Sequence, residues 1–107
     1  MELSQYDIVW VNLDPTKGSE IRKTRPCVII SPDEMNKHLN TIVVAPMTTK
    51  SRVYPTRFKV KFNKKVGWVV LDQIKTIDKT RILNISGKLS ENEIITCKEI
   101  INETYVC

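Results

Sequence analysis

A chain of 107 residues, 41% hydrophobic and 27% charged, has material for one core and not for two, so a single domain over 1–107 is expected. No apolar run reaches membrane-spanning length, and residues 1–5 lack the basic start and apolar core of a signal peptide; no membrane association and a cytoplasmic address are expected. The formal net charge of +5 excludes a strongly acidic protein and favours an anionic partner.

Three cysteines, Cys27, Cys97 and Cys107, form no Cys-x-x-Cys pair, and His38 is the single histidine. These spacings suggest neither a disulfide framework nor a zinc site, so no metal and no cofactor are expected. Cys27 reads as a small core hydrophobe and the other two as free thiols.

Residues 7–13 alternate as a first strand, with Ile8, Trp10 and Asn12 on one face and Val9, Val11 and Leu13 on the other. Only the second face is purely apolar, which makes it the expected core side. Residues 14–24 form a polar loop that opens with Asp14-Pro15 and Gly18-Ser19 and carries Glu20, Arg22 and Lys23. Residues 25–31 form the second strand, buried along Cys27-Val28-Ile29-Ile30. Arg25 stands at its mouth, and Pro26 confines it to extended backbone. That placement suits a guanidinium that must hold a phosphate in a set orientation.

Ser31, Pro32 and Glu34 predict a helix start with serine as the cap, proline in the first helical position and glutamate three residues after the cap. A short helix to about Leu39 follows, and His38 near its end is expected to place a ring nitrogen on a free carbonyl. Residues 41–46 form a third strand, with Pro46 expected to end regular pairing. Met47-Thr48-Thr49-Lys50-Ser51 then sets hydroxyls beside cations, and Tyr54-Pro55 marks the return. Residues 57–62 alternate basic and apolar, so Arg57, Lys59 and Lys61 share one face. A turn at 63–65 leads to a strand over 67–72 that ends at Asp72. Residues 73–77 continue as a partner strand after a bend, 78–81 form one helical turn, and 82–88 follow. Ser90 and Glu93 make a capping box for the best helix, whose Ile94, Cys97, Ile101 and Tyr105 line one face. Many short strands with a terminal helix indicate a mainly β, small curved sheet or barrel.

Between Glu34 and Asp72 the chain has no acidic residue but holds Lys37, Lys50, Arg52, Arg57, Lys59, Lys61, Lys64 and Lys65. The C-terminal helix reverses this with Glu91, Glu93, Glu99 and Glu103. A basic middle and an acidic end predict a face for a polyanion or an acidic partner, the alternative being a solvated lysine-rich strand.

The segments 7–20, 24–32, 45–49 and 71–78 together resemble the MazF/PemK family of toxin ribonucleases, in family order and at family-like spacing. The resemblance implies a small SH3-like (CcdB/PemK-like) barrel with short helices, acting as a homodimer. It further implies metal-free cleavage of single-stranded RNA within short sequences, and inhibition by a MazE-like antitoxin with an acidic, extended segment. By the same resemblance the catalytic pair falls on Arg25 and Thr48. Two positions depart from the family. Tyr6 stands where most relatives carry glycine, and Val70 stands where the PemK-like branch has the arginine that works with the acid at Asp72, so that pair reads as incomplete.

In such a reaction the 2′-hydroxyl attacks the adjacent phosphorus, leaving a 2′,3′-cyclic phosphate and a 5′-hydroxyl. Arg25 suits the charge on phosphorus, since its fork grips two oxygens and stays ionised. Thr48 can donate to a non-bridging oxygen or orient the 2′-hydroxyl. Supporting roles fall to Glu20, which either serves as base or, the favoured reading, pairs with Arg22 or Lys23, and to Asp72, which either orients the base or the RNA or only ends a strand. Lys50, Arg52, Arg57, Lys59 and Lys61 are expected along the phosphate track, with Tyr54 and Gln73 reading bases. Trp10 and Trp68 either join them or pack in the core or dimer. Two rivals stand beside the nuclease: a CcdB-like gyrase poison, and a barrel that binds RNA without cutting it.

Overall fold

The computed structural model describes residues 2–106. Cys107, expected as a free thiol, lies outside them. Seven antiparallel strands form a curled sheet in the order β4-β5-β3-β2-β1-β7, with β6 also on β3. The strands are β1 Asp7–Asn12, β2 Thr24–Ile29, β3 Thr41–Thr48, β4 Arg57–Phe62, β5 Lys65–Val70, β6 Lys75–Asp78 and β7 Ile82–Lys88. Helix α1 (Asp33–His38) joins β2 to β3, and α2 (Glu91–Ile101) follows β7. No helix among the described residues is long and apolar enough to cross a membrane.

The expected core face of β1 is the core face: Val9, Val11 and Leu13 are buried. They pack with Cys27, Ile29, Ile42, Val44, Ile77 and Ile82. Ile8, on the opposite face, is buried as well, in a second cluster with Val28, Met47, Phe58, Val69, Leu71 and Cys97 that α2 covers. Burial on both faces explains why β2 and β3 are continuous apolar runs rather than alternating ones. Burial also pushes the thiol of Cys27 up to about 12 and that of Cys97 to about 11. Cys27 is the core hydrophobe expected; Cys97 is a free thiol as expected, but it is buried in the core as well.

Tyr6 lies at φ 70, in the left-handed region that favours glycine. Its amide donates to the Ile29 carbonyl at 2.7 Å and its carbonyl accepts from Leu89 at 3.0 Å, so the entry turn is fixed from both sides. The buried ring offsets backbone strain that a glycine would not carry. The two-residue turn from β4 to β5 has positive φ at Asn63 and Lys64, the twist a tight hairpin requires.

Several expectations need correction. Pro32, not Ser31, precedes α1, and no side chain caps that helix. Ser31 is buried; its hydroxyl donates to Asn36 Oδ1 at 2.6 Å and accepts from the Val43 amide at 3.1 Å. The serine therefore ties α1 to β3 from the side. His38 faces Glu34 at 3.7 Å on the surface instead of meeting a carbonyl. Pro46 does not end β3. Pairing with β6 stops at Val44 and pairing with β5 starts at Met47, so proline falls where that edge has no partner to lose. The C-terminal capping box forms as expected, and Glu93 Oε2 also accepts from the Lys61 amide at 3.1 Å, joining α2 to the basic strand.

Candidate active site

Arg25 and Thr48 line one cleft. The register brings them there from two directions: Arg25 sits opposite Val11 on β1, and Thr48 sits opposite Trp68 at the end of β3. The cleft has a volume of about 220 Å³; Trp10, Pro26, Phe62 and Gly67 form much of its wall and Asn63 and Lys65 its hairpin side. The rings of Trp10 and Phe62 meet at 6.3 Å and 53°. Arg25 is half-buried, and its Nε donates to the Arg22 carbonyl at 3.2 Å. Among the described residues the rest of the fork has no hydrogen-bond acceptor, which leaves it for an anion. Thr48 Oγ1 accepts from the Lys50 amide at 3.3 Å, which folds the chain back as it leaves β3. No carboxylate lines this cleft among the described residues.

A second cleft of about 290 Å³ lies nearby, lined by Leu13, Glu20, Ile21, Asp72, Gln73 and Lys75 among others. Pro46 of β3 lines this cleft while Met47 and Thr48 line the first, so the strand is the wall between them. The two carboxylates expected in support of catalysis are therefore both on the far side. Glu20 pairs with Lys75 at 3.6 Å and accepts from the Lys17 amide, not with Arg22 or Lys23. Gln73 is not a free reader of bases: its Oε1 accepts from the Ile21 amide at 2.9 Å.

Asp72 does have its arginine. Arg57 stands opposite Val70 in the ladder, and its Nε and Nη2 reach the two carboxylate oxygens of Asp72 at 3.0 Å each. Thr56 adds a hydroxyl to the same carboxylate at 2.8 Å, and Arg57 also donates to Ser51 Oγ and stacks 4.7 Å over Tyr54. This arginine comes from across the sheet; the position at which the PemK-like branch carries its own arginine is still Val70. The cost to the expected phosphate track is that Arg57 is neutralised. Lys59 lies over Trp68 at 5.4 Å, while Lys50, Arg52 and Lys61 remain exposed. None of these lines the Arg25–Thr48 cleft; Lys65 does, and only its place in the hairpin shows it.

The fork of Arg57 holds the Asp72 carboxyl below its ordinary 3.8, the hydrogen bonds outweighing the opposing effect of burial. A depressed folded pKa means that the stabilisation is present above about 4 and is lost as pH falls through the lower folded value. Asp72→Asn should thus lower stability by about 0.5–1 kcal/mol at pH 7, a solvent-screened pair being worth little more. Urea unfolding at successive pH values checks this: the gap to the parent should close below pH 4, and a gap of constant size would contradict it.

The curled antiparallel sheet with a helix laid across one face is the small, mainly β barrel expected. MazF from Deinococcus radiodurans matches it with a TM-score of 0.85 over 96% of each chain at 19% identity. An endoribonuclease from Mycobacterial species in complex with its cognate antitoxin matches with a TM-score of 0.80 at 18% identity, over 94% of this chain and 92% of that one. In sequence, the chain is 34% identical over 97 residues to the endoribonuclease toxin MazF of Escherichia coli strain K12, covering 90% of this chain and 87% of that protein. Residues 4–105 match the family described as PemK-like, MazF-like toxin of type II toxin–antitoxin system. The chain belongs to that family.

Proposed function

We propose that this protein is a toxin endoribonuclease that cuts single-stranded RNA within short sequences, without a metal, and that a cognate antitoxin silences it. The observation that carries the reading is the shared cleft: a half-buried arginine with most of its fork unpaired and a threonine hydroxyl on adjoining strands. Family membership and the endoribonuclease name of the Escherichia coli relative support the same activity.

In this mechanism the 2′-hydroxyl gives up its proton to the solvent as its oxygen bonds to the adjacent phosphorus, the bond to the 5′ oxygen breaks, and that oxygen takes a proton from water. The products are a 2′,3′-cyclic phosphate and a 5′-hydroxyl. Arg25 neutralises the two non-bridging oxygens as charge builds on them, and Thr48 donates to one of them or aligns the attacking hydroxyl. Lys65 and the exposed Lys50, Arg52, Lys59 and Lys61 draw the strand in by its phosphates. Those same cations suit the acidic, extended segment of a MazE-like antitoxin, a pairing that the Mycobacterial complex supports by likeness of fold. The protein acts in the cytoplasm as a homodimer of single domains, each spanning 1–107. Exposed Leu83 and Ile85 on β7, at the end of the strand order, support the dimer as apolar surface for a second copy.

One experiment tests the reading. The pure protein is incubated with mixed-sequence single-stranded RNA in EDTA and the new ends are mapped. Cuts at a short shared sequence with 5′-hydroxyl ends are expected. Intact RNA held tightly would make it a binding barrel, and intact RNA with inhibited gyrase would make it a CcdB-like poison.

A further inference from the structure

We infer that Gln73 is a positioning residue for Arg25, acting through the loop between β1 and β2. The inference rests on the proposed role of Arg25. Three hydrogen bonds compose the device. Gln73, the last residue of the short helical turn Leu71–Gln73, accepts the Ile21 amide on Oε1 at 2.9 Å. The next residue, Arg22, presents its carbonyl to Arg25 Nε at 3.2 Å. On the other side, the Lys23 amide donates to Asp14 Oδ1 at 3.1 Å. Both neighbours of Arg22 are therefore pinned, and the carbonyl between them has a fixed aim.

The rest of the loop needs such a pin. Residues 14–20 are almost wholly exposed, while Ile21 packs against the core cluster of β1–β3. Lys23 holds φ 70, so the chain enters β2 through a left-handed residue whose geometry depends on its neighbours. The other ties come from the same stretch as Gln73: Lys75 to Glu20 at 3.6 Å, and Arg81 to the Asp14 carbonyl at 3.2 Å. Of these ties, the bond from Ile21 to Gln73 lies nearest in sequence to the carbonyl that holds Arg25, on the side opposite the Lys23–Asp14 bond. Because Nε is the inner nitrogen of the guanidinium, anchoring it orients the fork while leaving both outer nitrogens for phosphate. Gln73 itself lines the second cleft, across β3 from the chemistry, and acts on Arg25 without touching substrate.

The test compares Gln73→Leu, which removes the acceptor at similar size, with Gln73→Glu, which keeps one. Single-turnover cleavage and binding to the same RNA with one 2′-deoxynucleotide at the cut are measured for each. Gln73→Leu should cut about 10- to 100-fold more slowly, as expected for a reactive group held loosely, with binding changed by less than about threefold. Gln73→Glu should recover most of the rate, and the cut sequence should be the same in all. A normal rate in Gln73→Leu, a changed cut sequence, or failure of Gln73→Glu to recover would each overturn the inference. Should Gln73→Leu not fold, amide exchange in the parent decides: Ile21 must exchange much more slowly than Gly18 and Ser19, and equal rates would sink the tether. Arg25→Ala run alongside separates the two claims, since full activity there would remove Arg25 from the mechanism whatever Gln73 does.

Discussion

Replacing Arg25 with alanine should lower the rate of RNA cleavage by about 100- to 1000-fold, the usual consequence of deleting one group that stabilises charge in the transition state. The fold should survive. Among the described residues the side chain makes one hydrogen bond, to an exposed loop carbonyl, and the backbone pairing with Val11 does not depend on it. Pro26 keeps position 25 extended whichever residue stands there. Arg25→Lys should recover only part of the loss, because an ammonium keeps the charge but cannot grip two oxygens in one plane. Thermal unfolding by circular dichroism and counting of 5′-hydroxyl ends together check the claim. An unfolded variant would make the rate uninformative, and the lysine variant then carries the test. Near-parent cleavage by a folded Arg25→Ala would end the assignment.

Thr48→Val should cost about 100-fold in rate with little change in stability. Valine preserves the branched shape and suits a strand, so the half-buried packing at the end of β3 remains. What disappears is the hydroxyl, and with it the bond from the Lys50 amide that shapes the start of the next connection. Thr48→Ser separates the two parts of the effect, since it restores the oxygen without the methyl. Recovery to within about tenfold of the parent is expected, the remainder reflecting a freer rotamer. Parent-like cleavage by the valine variant beside a loss in the serine variant would mean that the methyl, not the oxygen, matters there.

Local chemistry announced much of this molecule before any coordinates. The capping box at Ser90 and Glu93 involves groups three residues apart, and it forms. The alternation of Arg57–Phe62 likewise puts Phe58 and Val60 inside and Lys59 and Lys61 outside. The misreadings of Arg57, Glu20 and Gln73 share one cause, which is distance along the chain. Arg57 meets Asp72 fifteen residues on, Glu20 meets Lys75, and the Ile21 amide meets Gln73, all through strand order. Ser31 misled because it satisfies a local rule for capping while a buried asparagine offers it a better partner. The Arg25–Thr48 cleft was legible only through resemblance to a family; nothing in the spacing of 25 and 48 brings them together.

The partner change along β3 has a mechanical meaning. A slip of one residue in its pairing with β5 would turn the Thr48 side chain to the other side of the strand, away from the cleft it shares with Arg25, since neighbouring strand residues point to opposite sides. Closure of the core and placement of the Thr48 hydroxyl in the cleft are thus a single event, and on the proposed mechanism a half-folded chain would be harmless to RNA.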